Sequence, residues 1–231
     1  MSVTGGPNII TNGLLIHLDA ASTKSYPGTG TSWFDLSGNN NTATLNNSQT
    51  YSSGNGGHII NNNNQNISIT QNTAINNHAS DYTYEIVFRP PSQSTYTYPR
   101  IFANCNYLQN GINLVGTSNP TDITFGFSWY SAGTAYGPTG ITVAYNQWYH
   151  CFLSRIGGNY YTYYFYPNTV VTNTGALTFD LSNTNGIRIG ANASGSETML
   201  EHVALFRRYN IGLTYDQVMT NFSATRGRFG I

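Results

Sequence analysis

The acidic side chains come first, because a pair of carboxylates can cleave a glycosidic bond. The two carboxyl groups must lie about 5–5.5 Å apart in retaining enzymes and about 6.5–9.5 Å apart in inverting ones. No two acidic residues of this chain are two positions apart, the spacing that would place them on one face of a strand. Glu197 and Glu201 are four apart, roughly 13 Å along a strand. Glu85 is expected to be a polar, outward-facing strand residue. The sequence therefore predicts no catalytic residue, and glycoside hydrolysis is the least favoured function.

The sequence contains no nucleophilic dyad and no metal-ligand spacing that these patterns would predict. No Gly-x-Ser-x-Gly elbow occurs. His150 and Cys151 are adjacent in a predicted strand and point to opposite faces, so they cannot form a dyad. The five histidines show no metal-ligand spacing. Cys105 directly follows the predicted strand Ile101–Asn104, Cys151 falls in a predicted strand, and both are expected to be buried free thiols.

Aromatic and amide side chains offer another chemistry, the binding of sugars. Sugar rings stack their C–H faces on aromatic rings, and their hydroxyls pair with amide and backbone groups. The run Tyr160–Tyr166 has aromatic residues on both faces of one strand, so one face could serve as a stacking platform. Two alternatives stay open: tyrosine is simply a good strand residue in a chain of low charge, or the exposed rings form a subunit contact. The candidates for outward contact with a carbohydrate or a partner are Tyr96, Tyr98, Trp129, Tyr130, Tyr136, Tyr161 and Tyr163.

The composition narrows the choice of partners. Only 8% of residues are charged, against a usual ~25%, Lys24 is the sole lysine, and the formal net charge is zero. A surface with so little charge repels its neighbours weakly, so self-association is expected. Without a basic tract, nucleic acid is not an expected partner. No apolar segment is long enough to span a bilayer, and the start lacks the regions of a signal peptide, so neither a membrane partner nor secretion is expected.

Two-residue alternation predicts an all-β fold of antiparallel strands. Tyr82–Arg89 and Ile123–Tyr130 alternate apolar and polar residues, and Trp148–Arg155 is joined to Tyr160–Tyr166 by the hairpin sequence Ile-Gly-Gly-Asn. Evenly spaced turn clusters are typical of a two-sheet sandwich. Further strands are predicted at Leu14–Leu18, Ile59–Asn61, Ile67–Thr70, Ile101–Asn104, Ala176–Phe179, Ile187–Ile189 and Met199–Arg207.

One helix is predicted, at about 214–224. Thr214 and Gln217 have the spacing of a capping box, and Gly227 is expected to end the segment. We expect this helix to lie across one end or edge of the sandwich and to cover apolar surface there. Residues 1–13 are predicted to be an arm that contacts another subunit, and 14–231 a single domain.

Both ends of the domain carry a family resemblance. The first segment, Gly13–Asn47, reads GLLIHLDAASTKSYPGTGTSWFDLSGNNNTATLNN and follows the leader Gly6-Pro7-Asn8. The last segment, Leu213–Ile231, reads LTYDQVMTNFSATRGRFGI. Together they resemble the concanavalin A-like lectin/glucanase superfamily. More narrowly, they resemble the laminin-G-like domains in structural proteins of tailed phages, especially marine ones.

The resemblance implies an antiparallel jelly-roll sandwich of two sheets with a short C-terminal helix. It also implies structural roles for Asp19, Trp33 and Asp35 around the long loop of the first segment. Related domains often hold calcium at the sandwich rim, for which Asp122 and Asp180 are the candidates here; no other cofactor is expected. Where the phage-type pattern often has an acidic residue before the Val of its last long strand, this chain has His202.

The favoured function is a non-enzymatic phage virion protein, made in the host cytoplasm. It would be a capsid decoration, a head-associated protein, or a tail or fibre component, with other virion proteins as partners. The alternative is a lectin-like module that binds host-surface glycan.

Overall fold

The computed structural model describes residues 8–107, 109–131, 133–136, 140–166, 168–176, 181, 183–199 and 201–231. For residues 135, 136, 166 and 168–176 the description covers the backbone alone. Gly6 and Pro7 of the leader, and most of the predicted strand Ala176–Phe179, fall outside the described residues. No helix in the described part of the chain is long and apolar enough to cross a membrane.

Antiparallel strands account for nearly all of the regular structure, as predicted. Their bounds are β1 Leu14–Asp19, β2 Ser32–Trp33, β3 Ala43–Asn46, β4 Thr50–Ser52, β5 His58–Asn61, β6 Asn66–Ile69, β7 Tyr82–Arg89, β8 Arg100–Ala103, β9 Gly111–Ser118, β10 Asp122–Ser131, β11 Thr134–Tyr136, β12 Ile141–Ala144, β13 Tyr149–Ile156, β14 Asn159–Tyr166, β15 Asn168–Ala176, β16 Ile187–Ile189 and β17 Glu201–Tyr209.

The strands form two sheets. Sheet A has the order β15-β14-β13-β7-β17-β5-β4, with β1 also paired to β17. Sheet B has the order β11-β10-β9-β8-β16-β6-β3-β2, with β12 also paired to β10. Sequence neighbours such as β16 and β17 lie in different sheets, so the chain crosses between the layers, as in a jelly roll. The predicted hairpin is confirmed, with Ile156 paired to Asn159 across the turn.

The main core lies between the inner faces of the two sheets. On β7 the inward residues are Tyr82, Tyr84, Ile86 and Phe88, and on β10 they are Ile123, Phe125, Phe127 and Trp129. These are the apolar positions of the predicted alternation, because successive strand residues face opposite sides of a sheet. Cys105 and Cys151 are both buried and unbridged, as expected.

The predicted helix is present as α2, after a single short turn of helix, α1 (Thr73–Asn76). Helix α2 spans Tyr215–Thr225, and Thr214 and Gln217 form the predicted capping box. Gly227 does not end the segment, because a 3₁₀ turn continues through Arg226–Arg228.

The expected position of α2 is wrong. The helix lies on the outer face of sheet A rather than at an end or edge of the sandwich. Val218 and Phe222 pack against Phe152 of β13, Phe165 of β14 and Tyr209 of β17. Sheet A is thus covered on both faces.

Candidate functional site

The outer face of sheet A is filled by structural contacts. Phe229 of the C-terminal tail packs on Trp148, with ring centroids 4.8 Å apart, and shares a buried cluster with Val87 and Leu205. The cover of helix and tail buries Glu85 completely. Glu85 does face outward from the sandwich, as its place in the alternation predicted, but α2 shields it from solvent.

Glu85 is the centre of a buried polar network. Its Oε1 accepts hydrogen bonds from Arg207 at 2.6 Å and His150 at 2.9 Å, and its Oε2 accepts one from Asn221 of α2 at 2.8 Å. Burial alone would raise the pKa of Glu85, but the Arg207 charge and the His150 and Asn221 hydrogen bonds together lower it. Burial lowers the pKa of His150, so that ring is neutral beside the ion pair. Asn221 also accepts a hydrogen bond from the Ile10 N–H at 2.8 Å. The network therefore joins sheet A, helix α2 and the N-terminal segment.

The outer face of sheet B differs, because several of its outward side chains reach solvent. Thr124 and Ser128 of β10 and Val115 of β9 are partly exposed. A cleft with a volume of about 570 Å³ crosses this face, over β8, β9 and β10. That volume is within the range of about 300–1,000 Å³ typical of small-ligand sites.

Three tyrosines form the aromatic wall of this cleft. Tyr98 precedes β8 and is 58% exposed, and Tyr107, in the loop between β8 and β9, is 63% exposed. Tyr130 of β10 is buried at its edge and meets Tyr107 edge-on, with ring centroids 5.6 Å apart. Burial raises the pKa of Tyr130, so its hydroxyl stays protonated. The cleft thus exposes two aromatic rings, one of them braced by a third.

An ion pair forms the polar end of the cleft. Arg100 Nη2 lies 3.2 Å from Glu197 Oε2, and Arg100 Nη1 donates to the Tyr98 carbonyl at 2.6 Å. Asn192 donates a further hydrogen bond to Glu197 Oε2 at 3.0 Å. The Arg100 N–H donates to the Glu197 carbonyl, so the backbone also holds the pair together. On the cleft floor, Ser128 accepts from Asn113 Nδ2 at 3.2 Å.

The aromatic candidates from the sequence divide between the two sheets. Tyr98 and Tyr130 belong to the cleft. Tyr96, two residues before Tyr98, is half-buried, and its backbone N–H donates to Ser94 Oγ. Tyr161 and Tyr163 face outward from sheet A, but Tyr163 is only 3% exposed because α2 covers it, and Tyr161 packs against the same cluster.

Of the remaining two aromatic candidates, the structure describes the side chain of one, Trp129. Trp129 is wrong as an outward residue: it lies in the core, stacked on Tyr160 with ring centroids 4.7 Å apart. Its own place in the β10 alternation puts it inward. The Tyr136 side chain lies outside the described residues, although its backbone pairs with Trp129.

Tyr107, Arg100 and Glu197 were not among the sequence candidates. Tyr107 is a single aromatic residue in an Asn-rich turn, and Glu197 and Arg100 are far apart in sequence. The signal available in the sequence for Tyr107 is an aromatic residue in a polar turn after the predicted strand Ile101–Asn104.

The comparison with known families is decisive for the fold. A family model described as the concanavalin A-like lectin/glucanases superfamily matches residues 61–219. The chain belongs to this superfamily. No sequence among the curated proteins is significantly similar to it.

Solved structures of the same lectin-like architecture are similar over almost the whole chain. Trypanosoma rangeli sialidase aligns at 17% identity and a TM-score of 0.62, covering 94% of this chain and 33% of the sialidase. The binding domain of Paraclostridial mosquitocidal protein 1 aligns at 15% identity and a TM-score of 0.65, covering 94% of this chain and 53% of that protein. The receptor-binding domain of botulinum neurotoxin type G aligns at 15% identity and a TM-score of 0.61, covering 90% of this chain and 50% of that domain. The chain therefore spans a third to about half of the length of these proteins.

The loop residues implied by the superfamily resemblance hold the first segment together. Asp35 accepts backbone N–H bonds from His17, Ser37 and Asn41, each at 2.9 Å. Asp19 accepts from the Ala21 N–H and pairs with Arg228 of the C-terminal tail at 2.9 Å. A third residue of this segment, Trp33, is fully buried in the core. The two family-like ends of the sequence therefore meet through Asp19 and Arg228.

Of the two rim candidates for calcium, the structure describes Asp122. Asp122 accepts from the Asn119 amide at 2.7 Å and from Thr121, and Asp180 lies outside the described residues. Among the residues that the structure describes, no three His, Cys, Asp or Glu side chains converge in a way that could hold a metal ion.

Proposed function

We propose that this superfamily domain is a carbohydrate-binding module that acts through the cleft on the outer face of sheet B. The observation that carries the proposal is the pairing of two exposed tyrosine rings, Tyr98 and Tyr107, with the Arg100–Glu197 ion pair inside one cavity. Aromatic rings stack on the C–H faces of a sugar, and the charged and hydroxyl groups hydrogen-bond its rim.

The rigidity of this surface favours binding. Tyrosine provides contact area with little rotamer freedom to lose, and Tyr107 is further restrained by Tyr130. The floor strands are paired on both sides, so the cleft is formed before a ligand arrives. Two structural neighbours, described as the receptor-binding domain of a neurotoxin and the binding domain of a mosquitocidal protein, support a binding role for this architecture.

A role without catalysis is part of the proposal. Glu85 is held by Arg207 beneath α2, and Glu197 by Arg100. Asp19, Asp35 and Asp122 are engaged by the hydrogen bonds given above. The cleft itself contributes one carboxylate, Glu197, among its described lining residues, whereas the usual mechanism of glycoside hydrolysis uses a pair.

The test compares two exposed tyrosines, one at the cleft over sheet B and one on the helix that covers sheet A. Tyr107→Ala should weaken binding of the best glycan on an array by roughly 5- to 150-fold, taking for a stacked sugar the about 1–3 kcal/mol that a nucleobase stacked on an aromatic side chain contributes. Tyr215→Ala is the matched control, because Tyr215 is 48% exposed on α2, over sheet A. Calorimetry on both variants and the wild type measures the effect. Equal losses in the two variants, or no bound glycan for the wild type, would contradict the proposal.

The virion role is a second proposal, carried by the phage-type resemblance of the two end segments. Asp19 lies in one segment and Arg228 in the other, and their ion pair supports a common structural unit built from both. We propose that the module is carried on a phage particle, where low surface charge favours assembly with other virion proteins and with itself. Mass spectrometry of purified particles should detect the chain, and cryo-electron microscopy should show neighbours against residues 1–13. Particles that lack the chain would refute this role.

A further inference from the structure

A second cavity lies on the outer face of sheet B, next to the cleft that Tyr98 and Tyr107 line. It has a volume of about 250 Å³ and is lined over β6 and β16 by polar groups that include Ser68, Thr70, Gln71, Asn185 and Arg188. This volume is below the range of about 300–1,000 Å³ for whole-ligand pockets. The cavity is therefore suited to one substituent or one end unit of a larger ligand.

Arg188 gives this pocket its charge. Its Nε donates to the Ala193 carbonyl at 2.9 Å and its Nη1 to Asn66 Oδ1 at 2.8 Å. Both acceptors are neutral, and no acidic residue in the described part of the chain forms an ion pair with Arg188. Four other arginines, Arg100, Arg155, Arg207 and Arg228, do have carboxylate partners. The guanidinium is thus held in one orientation with its positive charge uncompensated.

One nitrogen of that guanidinium is available to a ligand. Arg188 Nη2 has no hydrogen-bond partner among the described residues. This atom is not buried, so a ligand can reach it. An arginine restrained in this way can donate to a carboxylate or sulfate oxygen at little cost in side-chain entropy.

The pocket and the cleft lie on one line across the sheet. Strand pairing places Ser128, Asn113, Ala103 and Arg188 side by side on β10, β9, β8 and β16. At about 4.8 Å per strand, Arg188 is roughly 14 Å from the cleft floor at Ser128. The loop between β16 and β17 contributes Ala193 to the pocket and Glu197 to the cleft. A single oligosaccharide could therefore contact both.

We propose that the Arg188 pocket binds the anionic group of an acidic glycan, a carboxylate or a sulfate ester, while neighbouring sugar rings of the same glycan occupy the cleft. The inference rests on the proposed carbohydrate-binding function and specifies its ligand class. The ligand is an acidic polysaccharide rather than a neutral one.

The experiment is an array on which each uronate-containing glycan and each O-sulfated glycan is printed beside its neutral parent. The wild type should bind the acidic member of a pair roughly 10- to 100-fold more tightly, as expected for a hydrogen bond to a charged group. The uronate and sulfate series show which anion is preferred. Arg188→Gln should lose this preference and keep the affinity for the neutral parents, which also shows that the variant is folded. Arg188→Lys should retain part of it, and Arg226→Gln, on the far side of the molecule, should leave it unchanged.

Three outcomes of the array experiment would overturn the inference. If the wild type binds acidic and neutral members equally, the ligand class is wrong while carbohydrate binding stands. If Arg188→Gln keeps the acidic preference, another group supplies the charge. If no glycan binds, the proposed function and the inference fail together.

A nuclear magnetic resonance titration of the Arg188 Nε–H signal with glucuronate, with glucose as the neutral control, gives a direct readout. A saturable shift with glucuronate alone supports the site, and no shift overturns it.

Discussion

The outer faces of the two sheets have the same alternating sequence pattern, but one face is buried and the other is partly exposed to solvent. On β7 of sheet A the outward residues include Thr83, Glu85 and Val87, and all three are fully buried. On β10 of sheet B the outward residues Thr124 and Ser128 are partly exposed. Alternation decides which side of a strand a residue faces, but a segment far away in sequence decides whether that side meets solvent. In this molecule the deciding segment is α2 with the C-terminal tail.

The two faces also use a similar ion pair for different purposes. Glu85 and Arg207 are both buried, and His150 and Asn221 complete the hydrogen bonds that make a buried pair tolerable. Glu197 is about one-third exposed at the cleft, where its partner Arg100 also holds the Tyr98 carbonyl. The first pair stabilises the cover of sheet A, and the second shapes an open surface.

Breaking the Glu85 network should have the largest effect on stability. Glu85→Gln leaves Arg207 buried without its counter-charge, and we expect a loss of about 3–5 kcal/mol in the free energy of unfolding. The folded pKa of Glu85 is lowered, so its stabilisation is present at neutral pH and is lost as the pH falls through that pKa. The difference between variant and wild type in urea unfolding should therefore narrow in acid.

The matched control for that variant is Glu197→Gln, at the exposed pair. It should cost no more than about 1 kcal/mol, as surface pairs do. A similar loss for both variants would mean that the two faces are not distinct in their energetics. At temperatures where Glu85→Gln is folded, its glycan affinity should equal that of the wild type.

Loosening the helix should have the next largest effect. Phe222 stacks on Phe165 with ring centroids 4.1 Å apart, so Phe222→Ala removes a contact between α2 and sheet A. We expect a loss of about 3 kcal/mol in urea unfolding, the lower end for such truncations because Phe222 is at the border of the buried cluster. Hydrogen exchange should speed up in α2 and not in β9 or β10. Faster exchange in both sheets would show that the helix supports the whole sandwich rather than one face.

The sequence predicted the strands and the helix better than it predicted the site. Alternation located β7, β10, β13 and β14, and the capping box located the start of α2. Strand β9 was missed because Gly111, Asn113 and Gly116 are poor strand formers. The packing of α2 on a face of the sheet left no sequence signal, because its apolar stripe would suit an edge equally well.

A bulge in β17 shows why register was beyond prediction. The register shifts between Val203 and Leu205, so Val203 and Phe206 both face the core. Strict alternation from Val203 would have turned Arg207 inward. The bulge turns it outward, opposite Glu85, and so creates the buried network. The cleft depends in the same way on Tyr107 and Glu197, which are brought together by loops without periodicity.

Glu201 adds a third environment, the interior between the sheets, and a predicted pH dependence of the opposite sign. It has the same orientation as Val203 and is fully buried. Among the described residues it has a single, neutral hydrogen-bond partner, Asn61 Nδ2 at 3.4 Å. Burial raises the pKa of Glu201 well above its usual value, and the Asn61 hydrogen bond offsets this only in part. The folded protein therefore keeps this carboxyl protonated, whereas the unfolded chain ionises it above about pH 4.3.

The sign of the pH dependence follows from that difference. Stability from a group with a raised folded pKa is complete below the unfolded pKa and is lost as the pH rises through the folded pKa. Glu201→Gln mimics the protonated form, so it should match the wild type at pH 4 and be more stable than the wild type at pH 7 in urea unfolding. This trend is opposite to that of Glu85→Gln, which is worst at neutral pH. If the two variants shift in the same direction between pH 4 and pH 7, then one of the carboxyl groups does not have the charge state assigned to it.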